Sequence, residues 1–443
     1  MNKLTKKWQI ILYGCSGLGV NMLNIIVGTY LCSALLVGGF KDNVENWTYL
    51  NRDLVVAGLW GTLIVISKIV DGLIDLPFSS FTDNLRTRWG RRRPAILIGY
   101  IPMLIAYVLF LFPLNSEATI LNTLWFAALL CIFYGTYTLT MLTYYATFAE
   151  IIKDDKDRVL LSNVKSICDV VYFSLSFALV PVFVGMGLNI RMVALIFMPL
   201  ALTMMIPMFM IKEAPTNDGS AIEGETKRVG FITSLAFSFR NKNFIYWLCV
   251  VFVMNIGLQL FLSGINEYFS NTGINMTFVM ASAFAPVPFT LMIYNKVVKK
   301  HGLKVGFIYV LLTFAAGMSL MLLCRVLPQQ YLLPVAIFCG IVVSCSIGAF
   351  FSITYTVPAQ MAQEATKRTG ICASTMYFAV QGLFEAVSAG VASGVVLVFL
   401  KQNGLVQYIT VIVAAFCVIA AVMAWFLPKS VSLIGKENDS KNE

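Results

Sequence analysis

Long apolar runs alternate with short polar breaks along the whole chain. Runs long enough to span a bilayer, at least about 20 residues, cover 9–37, 54–81, 94–114, 120–150, 163–187, 191–211, 243–268, 277–298, 304–325, 332–361, 370–400 and 405–427. No run shows the strict alternation of a half-buried strand. The pattern therefore predicts an all-α membrane protein with twelve transmembrane helices. The first run, 9–37, is too long for the core of a signal peptide and is read as a retained span. The longest polar break follows the sixth run, at 212–242 (KEAPTNDGSAIEGETKRVGFITSLAFSFRNK). The chain thus divides into a six-helix bundle over 1–211, a cytoplasmic linker over 212–242, a second six-helix bundle over 243–428 and a tail over 429–443.

The charges fix an orientation. Only 12% of the residues are charged and 58% are hydrophobic, with a mean hydropathy of +0.80. Soluble chains carry about twice that charged fraction. Of the 32 Lys and Arg residues, only Lys41, Arg52, Arg191, Arg325 and Lys401 fall on the outer side if both termini are inside. Nearly all the others lie in the inner loops and tails, which is the positive-inside bias of a multi-pass protein with cytoplasmic N and C termini. The same bias accounts for the net charge of +10 without a nucleic-acid partner. All ten cysteines sit in apolar segments without a CxxC pair, so they read as small buried hydrophobes. The one histidine, His301, lies in a basic loop, which argues against a histidine metal site. No phosphate loop, zinc motif or nucleophile triad is present, so the chain does not read as an enzyme.

Several polar residues interrupt the apolar spans. Asp71 and Asp75 lie within 54–81 (LVVAGLWGTLIVISKIVDGLIDLPFSSF), at i and i+4 on one helix face, with Lys68 three residues earlier. A carboxylate in a bilayer costs roughly 2.5–3.5 kcal/mol on the mildest scale. Two such groups repel unless a positive partner joins them: Na⁺, a proton or the Lys68 ammonium. A structural ion pair and a transporter cation site both satisfy this. Asp169 and Glu385 are further ionisable groups within spans. Asp169 has Lys165 one helical turn away, so pairing or snorkelling explains it as well as function does. Glu385 has no same-helix partner, which favours function. Glu150, Glu267 and Lys296 stand near helix ends, where solvation explains them. Trp47, Trp60, Trp89 and Trp247 suit interfacial anchoring at least as well as ligand stacking.

Two inner loops occupy matching places in the halves. Residues 83–94 (DNLRTRWGRRRP) follow the second span, and 295–304 (NKVVKKHGLK) follow the eighth. In the first, Gly90 permits a sharp bend and Pro94 opens the next helix. Internal repetition of this kind marks two-bundle transporters of the major facilitator type.

Residues 68–99 (KIVDGLIDLPFSSFTDNLRTRWGRRRPAILIG) closely resemble the glycoside–pentoside–hexuronide:cation symporters, the melibiose permease family. The opening YGCSGLG at 13–19, the acidic-basic exit EIIKDDKDRVLLS at 150–162 and KRTG at 367–370 also fit. The resemblance implies the major facilitator fold and symport of a sugar or glycoside with Na⁺ or H⁺ by alternating access. It implies no cofactor beyond the coupling ion, and a multi-pass monomer of the plasma membrane. Asp71, Asp75 and Thr138 would bind the cation. Asp83, Arg88, Gly90, Arg91, Arg93 and Pro94 would form the inner-loop motif.

The chain also departs from the family. Ile74 replaces an asparagine common in sodium-using members, and Met141 replaces a span-four aspartate. These changes remove oxygen ligands for Na⁺ and favour H⁺. Asn21, Ser166 and Ala386 stand where the family carries ionic sugar-binding groups. The substrate site would then rest on Asn21, Asn24, Tyr144, Tyr145, Asp169, Gln381 and Glu385. Amides and aromatic rings suit sugars, and equally an amphipathic or lipid-like solute. A non-transporting sensor on the same fold is a third possibility, against which the intact aspartate pair argues.

Overall fold

The computed structural model describes residues 4, 6–85, 87–90, 92–151, 155–213, 239–369 and 374–427. Among these, the regular structure is helical throughout. The chain separates into two compact units, Met1–Glu225 and Thr226–Glu443.

Unit 1 contains α1 (Lys7–Leu35) and α2 (Ala57–Asn84), then α3 (Arg92–Phe110) and α4 (Ile120–Ile151). It closes with α5 (Asp155–Gly185) and α6 (Ile190–Met210). In a bilayer the backbone must satisfy its own hydrogen bonds, so each apolar run forms a helix. The polar residues that remain join neighbours. Tyr100 and Tyr107 of α3 donate to the carbonyls of Ala201 and Ala194 in α6, at 3.0 and 2.8 Å. Asn122 of α4 donates to Leu54 O at 2.7 Å and accepts from Leu114 N at 3.0 Å, tying the loops that precede α2 and α4 to one helix end. Asn189 caps α6 by accepting from Arg191 N, while its amide holds the carbonyls of Glu45 and Thr48 in the loop after α1. The backbones of α1 and α6 approach closely at Gly19, where an added Cβ would stand 1.8 Å from Leu200 O.

Unit 2 contains α7 (Lys242–Thr272) and α8, which is broken into Met276–Phe284 and Val287–His301. It continues through α9 (Leu303–Arg325) and α10 (Gln329–Thr369). The α11 helix runs over Ser374–Gly390 and on through Val391–Val396 and Leu397–Gln402, and α12 is Val406–Trp425. The two parts of α8 meet at 41°. Pro286 lies at the break, and its missing N–H accounts for the interruption. Asn241 and Asn275 cap α7 and α8 by accepting backbone N–H bonds.

Eleven helices of the described residues are long and apolar enough to cross a membrane, twelve with the bent α8 taken as one span. Large apolar side chains such as Phe112, Phe209, Phe289 and Val422 point outward, the pattern expected where the solvent is lipid.

Two expectations from the sequence are corrected. Trp47, Trp60 and Trp247 are buried, and only Trp89 of the four tryptophans is exposed. Trp47 stacks on Tyr30 and Phe40, and Trp247 donates its indole N–H to Gln381 at 2.8 Å, so packing outweighs interfacial anchoring. Glu267 is not solvated at a helix end. Its side chain is 0% exposed and accepts from Lys401, 3% exposed, at 2.9 Å. Folding α7 against α11 brings the two together across 134 residues of chain.

Candidate transport site

The α2–α4 face holds the first cluster. Lys68 and Asp71 lie three residues apart on α2, and Tyr134 and Thr138 four apart on α4, so each pair shares a face. Thr138 Oγ1 donates to Asp71 Oδ1 at 2.8 Å. Lys68 Nζ lies 3.8 Å from Asp71 Oδ2 and 3.5 Å from the Tyr134 ring centroid. One carboxylate is thus held by a hydroxyl and an ammonium, and the ammonium also rests on an aromatic face. In the next turn of α2, Ile74 faces α4, its Cδ1 3.4 Å from where a Cβ on Gly135 would be. Asp75 is on α2, and its side chain lies outside the described ones.

A cleft opens beside this cluster, among α1, α4 and α5. The space among its lining atoms is about 180 Å³ with open solvent included, of which only about 10 Å³ admits the centre of a water molecule. Its polar lining is Asn21, Tyr144, Tyr145, Lys165, Asp169 and Tyr172. Tyr137 donates to Asn21 Oδ1 at 2.7 Å. Lys165 pairs with Asp169, with its ammonium 5.1 Å from the Tyr145 ring centroid. Tyr144 donates to the Tyr13 carbonyl, so its ring, rather than its hydroxyl, serves the cleft. Cys168 lies on the wall with its sulfur 3.1 Å from that of Cys15. Gly17 keeps the floor open, because a Cβ there would meet Met141 Cε at 3.1 Å and Tyr144 Cε1 at 3.2 Å.

Asn21, Tyr144, Tyr145 and Asp169 therefore line one cleft, as grouped from the sequence. Asn24 is not among its lining residues, and its Oδ1 is buried without a hydrogen-bond partner in the described structure. Sequence reasoning missed Tyr137 and Tyr172, and weighed Lys165 only as a partner for Asp169. The pocket thus keeps an ionic group on α5, one residue before Ser166, whose side chain lies outside the described ones. Helical periodicity from Asp169 picks out 165 and 172 on one face, and that was the available signal.

Gln381 and Glu385 belong to unit 2. Gln381 accepts from Trp247 Nε1 and donates to Glu385 Oε1, each at 2.8 Å. Asn255 of α7 donates to the Glu385 carbonyl and to Ser388 Oγ, at 2.8 and 2.6 Å. Gln381 and Glu385 are one turn apart on α11, so Glu385 does have a same-helix partner, contrary to the sequence expectation, and the chain is anchored on α7.

In the inner loop after α2, Gly90 has φ +86° and Thr87 Oγ1 donates to its carbonyl at 2.6 Å. Arg88 lies with its guanidinium carbon 5.3 Å from the Trp89 ring centroid. Pro94 is buried and Arg93 half-buried in the first turn of α3. Glu213, just beyond α6, was not anticipated. Its Oε2 accepts from Arg92 N at 2.8 Å, and its side chain packs where a Cβ on Gly90 would stand. The carboxylate satisfies a free N–H at the start of α3 and meets the positive end of its dipole. Arg91 and the side chain of Asp83 lie outside the described residues.

Long apolar helices in two units, with carboxylates and a polar cleft inside a bundle, define a multi-pass membrane protein of the transporter class. Residues 12–428 match the model of the MFS/sugar transport protein family, and the chain belongs to that family, whose members are not enzymes. Curated relatives include an uncharacterized symporter of Synechocystis sp., 31% identical over 25% of this chain and 21% of its own length. A lactose permease of Lactobacillus helveticus is 26% identical over 40% of this chain and 28% of its own. The chain thus matches less than a third of the length of either relative. Among solved structures, the nucleoside transporter NupG superposes with TM-score 0.66 at 14% identity, covering 95% of this chain and 98% of that one. The xylose transporter XylE from E. coli gives 0.61 at 14% identity, with 95% and 98% covered. At such identities these two structures bear on the fold, which is that of the major facilitator transporters.

Proposed function

We propose that the protein is a secondary active symporter that carries a sugar or glycoside by alternating access, driven by a cation or proton bound at Asp71 and Asp75. The observation that carries this reading is the adjacency on α4. Tyr137 holds Asn21 of the cleft while Thr138, the next residue, holds Asp71. Neutralising the carboxylate shifts what Thr138 bonds to, and the same turn of helix sets the position of the Asn21 amide. Cation binding and substrate binding then favour one conformation together, as coupling requires. Tyrosine faces with an amide and an ion pair suit the ring faces and hydroxyls of a sugar. Family membership and the lactose permease relative support that cargo. We place the protein in the plasma membrane as a monomer.

Uptake of labelled glycosides into vesicles under imposed Na⁺ or H⁺ gradients tests this function. Gradient-driven accumulation is expected, and Asp71→Asn should abolish it. Accumulation by Asp71→Asn equal to the wild type would refute the coupling role. The tyrosine-rich lining also favours a second reading, in which the solute is amphipathic. That reading prevails if no sugar accumulates under either gradient while an amphipathic solute does.

A further inference from the structure

We propose that the Lys68 ammonium is the resident cation of the α2–α4 site and keeps Na⁺ away from Asp71. The inference deepens the proposed function and rests on its assignment of Asp71 to coupling. Both oxygens of Asp71 are engaged, Oδ1 by the Thr138 hydroxyl and Oδ2 by Lys68. The ammonium is itself supported: it stands 3.5 Å from the Tyr134 ring centroid, where the ring's negative face adds to the attraction of the carboxylate. The Lys68 and Asp71 side chains are only 20% and 21% exposed, so water screens the pair incompletely.

The surroundings suit an ammonium better than a bare metal ion. A hard cation needs a shell of several oxygens. One turn along α2, Ile74 turns a methyl group towards Gly135 of α4, and one turn along α4, Met141 packs against Gly17. Neither supplies an oxygen, which leaves Asp75, also one turn along α2 and with its side chain outside the described ones, as the further carboxylate on this face. Lysine brings its charge on its own stem, needs no such shell, and shares the carboxylate it would otherwise leave to Na⁺. A Na⁺ ion arriving at Asp71 would also meet a like charge 3.8 Å from Oδ2. Lys68 thus decides which ion the site accepts.

The test is the thermal stability of the purified full-length protein, titrated with NaCl or LiCl against choline chloride at constant ionic strength and pH. A cation that binds the folded state raises the melting temperature in a saturable way. The wild type and Lys68→Arg should respond alike to Na⁺ and choline. Lys68→Gln should gain a saturable Na⁺ response, with an apparent affinity at least tenfold above that of the wild type. Adding Asp71→Asn to Lys68→Gln should remove it. A folded Lys68→Gln protein that stays indifferent to Na⁺ would overturn the proposal. So would a wild-type response at Na⁺ concentrations as low as those that stabilise Lys68→Gln. If Lys68→Gln does not fold, the wild type and Lys68→Arg decide: saturable stabilisation by millimolar Na⁺ in either overturns the proposal. Failure of the transport reading is separate, because undiminished accumulation by Asp71→Asn refutes that reading whatever Lys68→Gln does.

Discussion

Three ion pairs among the described residues differ in their settings. Lys68–Asp71 and Lys165–Asp169 each lie on one helix, three and four residues apart, in the cleft region of unit 1. Lys401–Glu267 joins two helices of unit 2 and is closed to solvent. The first two keep partial exposure, so a ligand can reach and reorganise them. The third is sealed, and its role is to hold α7 to α11. Removing one member of a buried pair leaves the other charge without its partner and costs roughly 3–5 kcal/mol, whereas replacing both by apolar groups is often neutral. Lys401→Met should therefore lower the melting temperature of the detergent-purified protein markedly. The double variant Glu267→Leu/Lys401→Met should recover most of that loss. Equal melting temperatures for Lys401→Met and the wild type would remove the structural role assigned to the pair.

At the scale of helices, contact between neighbours depends on small residues and on tyrosine hydroxyls that reach across to backbone carbonyls. Gly19 lets α1 lie directly against the backbone of α6, beside Thr203, whose hydroxyl donates to Ser16 O at 2.8 Å. Close approach of backbones through small residues is the usual source of helix association in lipid, where apolar surface gives no net driving force. Gly19→Ala would put a methyl group 1.8 Å from Leu200 O, and backbone cannot rotate away as a side chain can. The α1–α6 contact must then separate. The expected result is a sharp loss of folded protein on size-exclusion chromatography. Gly58→Ala should behave as wild type, because nothing lies within 4 Å of a Cβ there. Similar yields for the two variants would show that α1 and α6 can part at little cost.

On the scale of the whole chain, the division at Glu225/Thr226 leaves each unit with its own set of packed helices and its own polar cluster. The carboxylate site and the cleft lie in unit 1, while the Trp247–Gln381–Glu385 chain lies in unit 2. Each unit should therefore fold on its own helices. Cutting the chain between Glu225 and Thr226 and co-expressing the halves should yield two membrane-inserted fragments that are resistant to mild proteolysis. Degradation of both fragments when they are co-expressed would show that the covalent link is needed for either to fold.

The sequence by itself determined the number of spans, the six-and-six division of the hydropathy pattern and the residues on each helix face. These follow from hydropathy, from helical periodicity and from the absence of water in a bilayer, all local properties of the chain. The pairing of Lys165 with Asp169 was legible for the same reason, since one turn of helix fixes the neighbour. Of the contacts across helices, the family resemblance had already grouped Thr138 with Asp71, while the structure alone decided that Tyr137 meets Asn21, Glu213 the start of α3 and Lys401 Glu267. These contacts join residues from 67 to 134 positions apart, and no local rule sets the rotation of one helix against another. Close packing sets that rotation, and glycines such as Gly17 and Gly19 permit it. The same packing turned Trp247 inward to a glutamine and made Glu267 a buried charge.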